Sequence, residues 1–238
     1  MLQLHTMILW SKPKEKDFES LAKTAYRIME VLKEFGSEVE PKYLTVNRKK
    51  DAVPFEWSYE NFRNTLKKGV NKEGGVEFPE LGYSIDFFSS LESQHSSSIR
   101  MKIGNHNSEF VDNLVIQFPK FYSIEKINQD KDKIKVLFNQ CIHLFQPYWG
   151  CISNSVNIDR FDNYAKNDKP STLHWLNYWG EDILRNIPAI KAMSVPVYYT
   201  EPIEKGWFIQ LKDDPLDDTL EEDVQLQAEA NKYYGLLS

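Results

Sequence analysis

Apolar residues along the chain alternate between two periods. Residues 2–10 form a short apolar run of strand character, and Pro13 stands where a helix can begin. From position 15 the apolar side chains fall at Phe18, Leu21, Ala25, Ile28, Met29, Leu32 and Phe35. That spacing follows the 3.6-residue helical repeat, and Gly36 is a natural stop. Residues 41–46 suit a second strand. A shorter helix is predicted over 57–68, with Ser58 at its N-cap and Gly69 after its end. The Gly- and Pro-rich stretch 69–82 reads as a loop. Three strand-like runs follow at 83–90, 97–103 and 114–118, separated by polar turns, which is the pattern of an antiparallel meander.

A further helix is predicted over 130–145 from Ile134, Leu137, Phe138, Cys141, Ile142 and Phe145, and Pro147 stops it. Residues 148–152 and 173–179 read as strands on either side of a polar linker. Residues 182–187 suit a single helical turn. A strand pair is expected at 195–200 and 207–211, around a loop at 201–206. Thr219, followed three residues later by Glu222, has the form of a capping box opening a last helix. Its inward face is expected to carry Leu220, Val224, Ala228 and Asn231, broadened by Leu226, Ala230 and Tyr233. The predicted class is α+β, a mainly antiparallel sheet with helices packed on one face. One domain over 1–238 is expected, with two fused subdomains, about 1–75 and 76–238, as its internal division.

Composition narrows the function. The 238 residues carry 29 basic and 35 acidic side chains, a net charge of −6. An acidic balance disfavours direct nucleic-acid binding. The imbalance lies late in the chain: residues 141–238 hold 8 basic against 15 acidic residues. No apolar run is long enough to span a bilayer, so no membrane partner is expected, and the cytoplasm is the expected location. The two cysteines, Cys141 and Cys151, provide neither a disulfide framework nor a zinc quartet and read as small reduced core residues.

Signatures of catalysis are few. His5, His95, His106, His143 and His174 include no HExxH pair, and the chain contains no nucleophile elbow, P-loop or dinucleotide fingerprint. His95 and His106 lie in adjacent predicted turns and are the one candidate acid–base or metal pair. His143 reads as a rim residue and His174 as a hydrogen-bonded core histidine. No catalytic residue, metal or cofactor is assigned, and the chain is not expected to be an enzyme.

Two features stand out instead. Aromatic–glycine clusters occur at Tyr148-Trp149-Gly150, Trp175 to Gly180, and Gly206-Trp207. An acidic run comprises Asp213, Asp214, Asp217, Asp218, Glu221, Glu222 and Asp223, more carboxylates than a helix start needs to offset its dipole. These seven acids are the candidate partner-binding residues. The pattern of Trp175, Tyr178 and Gly180, then Ile187-Pro188, then Gly206-Trp207, an acidic stretch and a final helix with Ala228 resembles the immunity protein 52 family of bacterial polymorphic-toxin systems. It also resembles the related type VI secretion immunity proteins. The resemblance covers the last third of the chain. It implies an α+β antidote that binds a co-encoded toxin, a nuclease, with no catalysis and no cofactor, and with Trp175, Tyr178, Gly180, Gly206 and Trp207 as structural motif residues. An acidic inhibitor suits the basic cleft of a nuclease. The alternatives are a cytosolic adaptor or structural binding protein, and a hydrolase with a cryptic site at His95 or His106.

Overall fold

The structure, a computed structural model, describes residues 4–46, 48–161, 170–187 and 197–236. It is α+β and mainly antiparallel, as expected. The chain divides into two compact units that are not contiguous in sequence. Unit 2 comprises Trp10–Phe121 and Leu144–Gln146, and unit 1 comprises Met1–Leu9, Tyr122–His143 and Pro147–Ser238. The main division therefore falls near residue 121, well beyond the expected boundary near 75.

Unit 2 holds helix α1 (Phe18–Phe35), strand β2 (Tyr43–Leu44), helix α2 (Tyr59–Lys68), and strands β5 (Leu81–Phe88), β6 (Ser98–Asn105) and β7 (Asp112–Gln117). Its strand order is β7-β6-β5-β2, with antiparallel pairing throughout. Asp17 and Ser58 cap the two helices through their side chains. Alternation along the meander sends Ile85, Phe87, Ile99, Met101, Ile103, Leu114 and Ile116 inward. They pack beneath the buried stripe of α1, Leu21 to Leu32, and each buried side chain contributes roughly 1.5–3 kcal/mol. The predicted loop at 69–82 holds a small hairpin, β3 (Lys72–Glu73) and β4 (Val76–Glu77). Gly74 and Gly75 make its turn, which is too short to show a strand period in the sequence.

Unit 1 begins with β1 (His5–Ser11), of which His5–Leu9 belong to it. It continues with α3 (Ile124–Gln129), α4 (Lys131–Phe145, as far as His143), β8 (Trp149–Asn154), α5 (Ser155–Arg160), β9 (Leu176–Gly180), α6 (Glu181–Leu184), β10 (Tyr199–Ile203), β11 (Gly206–Gln210) and α7 (Glu221–Tyr234). The strand order is β10-β11-β9-β8-β1. Helix α5 lies in the predicted polar linker, where Asn154 caps it by accepting from the Asn157 N–H at 2.9 Å.

Strands β8 and β9 are buried on both faces. Register explains how. Trp149, Trp179 and Trp207 align on one face, and Trp179 meets Tyr234 of α7 edge-on at 5.1 Å. Gly150, Tyr178 and Phe208 align on the other, and Phe208 meets Phe138 of α4 at 6.2 Å. Helices thus cover both faces of this sheet, whereas in unit 2 they lie on one. At the outer strand, the Leu211 N–H donates to Trp175 O, which fixes which residues of β11 bond toward β9. Pro202, paired with Trp207, then turns its missing N–H toward the open edge, a placement that discourages pairing by another strand.

Candidate partner-binding surface

The acidic segment is mostly engaged within unit 1. Lys131 at the start of α4 donates to Asp213 at 2.6 Å and to Asp214 at 2.9 Å, and these bonds hold its ammonium well above the usual lysine range. Asp217 accepts from both the N–H and the hydroxyl of Thr219. Asp218 accepts from Asn157 Nδ2 at 2.8 Å, and burial raises its carboxyl above the ordinary aspartate range. Asp223 is buried, bonded to Lys212 Nζ at 2.5 Å and to the Asp217 N–H at 2.9 Å. Glu221 and Glu222 remain exposed on α7, with Glu229 two turns on.

Thr219 is therefore not a helix cap. Its hydroxyl serves Asp217, and the N-cap position is Leu220, with no side-chain bond. The inward face of α7 also differs from expectation. It consists of Asp223, Gln227, Ala230, Asn231 and Tyr234, while Leu220 and Ala228 face solvent. Gln227 donates to Asn157 Oδ1 at 3.0 Å and to Leu173 O at 2.7 Å. Asn231 accepts from the Leu173 N–H and donates to the Thr172 hydroxyl. Ala230 and Asn231 are buried as expected, but a mostly polar buried face carries no hydrophobic period, so the spacing missed Asp223 and Gln227 and placed Leu220 and Ala228 on the wrong side.

The motif residues build the sheet. Trp175, Tyr178 and Trp179 are buried, and Gly180 passes so near Tyr148 that a Cβ there would sit 3.0 Å from its carbonyl oxygen. A Cβ on Gly206 would lie 2.3 Å from Trp179 O and 2.8 Å from the Tyr178 ring, so only glycine lets that ring lie across β11. Trp207 is half-buried and less enclosed than a core tryptophan. Burial, then the carboxylates of Glu204 and Glu181, push the Tyr178 hydroxyl up to about 12, which keeps it neutral. Glu204 holds a left-handed backbone, φ 50°, in the two-residue turn between β10 and β11, and its carboxylate meets His143 Nδ1 at 2.5 Å.

The predicted histidine pair does not form. His95 and His106 lie in turns at opposite ends of β6, about 25 Å apart for eight extended residues. His143 is exposed, as expected. His174 is fully buried, yet neither ring nitrogen has a hydrogen-bond partner, contrary to the expected bonded histidine. Desolvation lowers it to about 3. His5 is similarly buried and unbonded, lowered to about 4, beside a crevice too tight to hold a water molecule, lined by Ser153, Asn154, Asn157, Trp175 and Leu216. Both cysteines are free and buried, and burial pushes both thiols up, Cys141 to about 12. Among the described residues, no group of three His, Cys, Asp or Glu could hold a metal ion, and no helix is long and apolar enough to cross a membrane.

No family model matches the chain, and no curated protein matches it. Among solved structures it is similar to "Pseudomonas aeruginosa T6SS protein PA0821", with a TM-score of 0.64 and 12% sequence identity, over 99% of this chain and 73% of that one. At that identity the likeness is one of fold.

Proposed function

We propose that the chain is an immunity protein of a type VI secretion system: it binds a co-encoded bacterial toxin in the cytoplasm and holds it inactive. The observation that carries this reading is the fold shared over almost the whole chain with a T6SS protein. The motif residues for which the sequence resembles the immunity protein 52 family agree with it, because Trp175, Tyr178, Gly180 and Gly206 together form the packed centre of unit 1.

Charge supports a basic partner, and a nuclease domain with its phosphate-binding cleft is the class proposed. The sequence of unit 1 holds 12 basic and 18 acidic residues, whereas unit 2 holds 17 of each, so the whole net charge of −6 resides in unit 1. A negative surface of this kind speeds encounter with a positive one and competes with nucleic-acid phosphates for it. The inhibitor itself supplies no catalytic group to the mechanism; it works by occupying the partner's surface.

Co-expression with the toxin encoded beside it tests the proposal. Cells carrying both should survive, cells carrying the toxin alone should not, and the two proteins should copurify. Survival without copurification, or death of the doubly expressing cells, would refute it.

A further inference from the structure

The end of unit 1 where β9 meets the β10–β11 turn combines features the fold does not require. Gly206 pairs with Gly180, so the turn residue Glu204 and Glu181, which follows Gly180, stand at the same end of the β9–β11 pair. Tyr178 lies within electrostatic reach of both carboxylates. The residue is 2% exposed, its ring and hydroxyl lie over Gly206, and the hydroxyl makes no hydrogen bond among the described residues. Glu181 is exposed and forms no ion pair among the described residues. Among the described residues, Glu204 pairs with the His143 imidazole alone, and it keeps a left-handed backbone that favours glycine. A buried phenol whose hydroxyl is unbonded among the described residues, near two carboxylates that no Lys or Arg side chain pairs there, is the complement of a planar cationic group. A guanidinium fills such a site better than an ammonium, since it donates to several acceptors in one plane.

We propose that Tyr178, Glu181 and Glu204 form a receptor for an arginine side chain presented by the partner protein. The proposal rests on the chain being a partner-binding protein and names the point on its surface where the partner is anchored. The two carboxylates receive the guanidinium edges, and the Tyr178 oxygen accepts a third N–H from within the sheet. His143 holds the Glu204 carboxylate in place. Arginine anchored at a partly desolvated site of this kind is a common centre of binding energy.

The test uses the full chain and Nα-acetyl-arginine methylamide as probe, with the lysine analogue and the neutral citrulline analogue as controls. Nuclear magnetic resonance of the protein labelled at tyrosine rings and backbone amides reads the site. The arginine probe should shift the Tyr178 ring and the Gly180, Glu181 and Glu204 amides in the millimolar range. Lysine should act more weakly and citrulline not at all. The Glu181→Gln/Glu204→Gln variant should weaken binding about tenfold, the loss of two charge-assisted pairs, and Tyr178→Phe should weaken it less. Shifts centred on Glu221, Glu222 and Glu229, an equal response to citrulline, or an unchanged double variant would overturn the proposal. The neighbouring toxin separates this reading from the broader one. A toxin that binds the double variant with undiminished affinity removes the receptor and leaves the immunity role. A toxin that fails to bind the unaltered chain, while arginine still seats at Tyr178, removes the immunity role and leaves the receptor.

Discussion

Single residues decide how tightly the centre of unit 1 closes. Gly206→Ala places a methyl group 2.3 Å from a backbone oxygen and against the Tyr178 ring, and neither is the free end of a flexible chain. Overpacking of this kind costs about 1–3 kcal/mol, which urea unfolding should register as a lowered midpoint. Trp175→Ala removes a fully buried indole and should cost about 3–5 kcal/mol. Trp207→Ala, at a half-buried position, should cost distinctly less, although the sequence alone suggested that the two were equivalent. The buried histidines make stability depend on pH. Both are lowered in the folded state, His5 to about 4 and His174 to about 3, from an ordinary value of 6.5. The unfolded chain therefore takes up protons that the folded chain refuses, and their favourable contribution is complete above pH 6.5 and lost as the pH falls toward 4. Each should cost on the order of 2 kcal/mol by pH 5. His5→Gln should remove about one such share of the decline between pH 7 and pH 5, and an unchanged decline would show that His5 is solvated.

At the scale of elements, the sequence was most informative where burial and hydrophobicity coincide. Helices α1, α2 and α4 and the β5–β7 meander appear where periodicity placed them, with Asp17 and Ser58 as side-chain caps. Every residue of the predicted inner stripe of α4, Ile134 to Phe145, is buried. Legibility failed where polar groups take the place of apolar ones. Helix α7 is held by amides and a carboxylate; of its expected inner residues only Ala230 and Asn231 are buried, while Leu220 and Ala228 face outward. Gln227→Leu should therefore destabilise the protein by about 1–3 kcal/mol, because it leaves Asn157 and the Leu173 carbonyl without their donor. Ala228→Lys, at an exposed position, should stay within about 0.5 kcal/mol. A reading from hydrophobic spacing predicts the reverse order, so thermal unfolding of these two variants decides between them. Helix α5 and the β3–β4 hairpin were missed for a related reason: both are short, polar, and set by a cap or a turn, which no periodic pattern announces.

For the whole molecule, the acidic run was the clearest signal in the sequence, and the structure assigns most of it to architecture. Asp213 and Asp214 tie the segment to α4, Asp218 ties it to Asn157, and Asp223 ties α7 to Lys212. A charge run says how much negative charge is present but not which residues across the fold neutralise it; Lys131 lies 82 residues from Asp213. Two variants separate anchoring from steering. Replacing Asp213, Asp214, Asp217 and Asp218 with Asn should lower the melting temperature, since it weakens two ion pairs and leaves the half-buried Asn157 contact to a poorer acceptor. Replacing Glu221, Glu222 and Glu229 with Gln should leave the melting temperature nearly unchanged, because all three are exposed. That triple variant should instead slow association with the neighbouring toxin and flatten its dependence on salt, since exposed charges steer over about 8 Å at physiological ionic strength. Stopped-flow association at low and high salt, paired with calorimetry on each variant, reads both effects. A quadruple Asn variant that keeps its melting temperature and loses the fast salt-sensitive phase would return the docking surface to the aspartates, and the bonds from Lys131, Asn157 and Thr219 would then be resting contacts that the partner displaces.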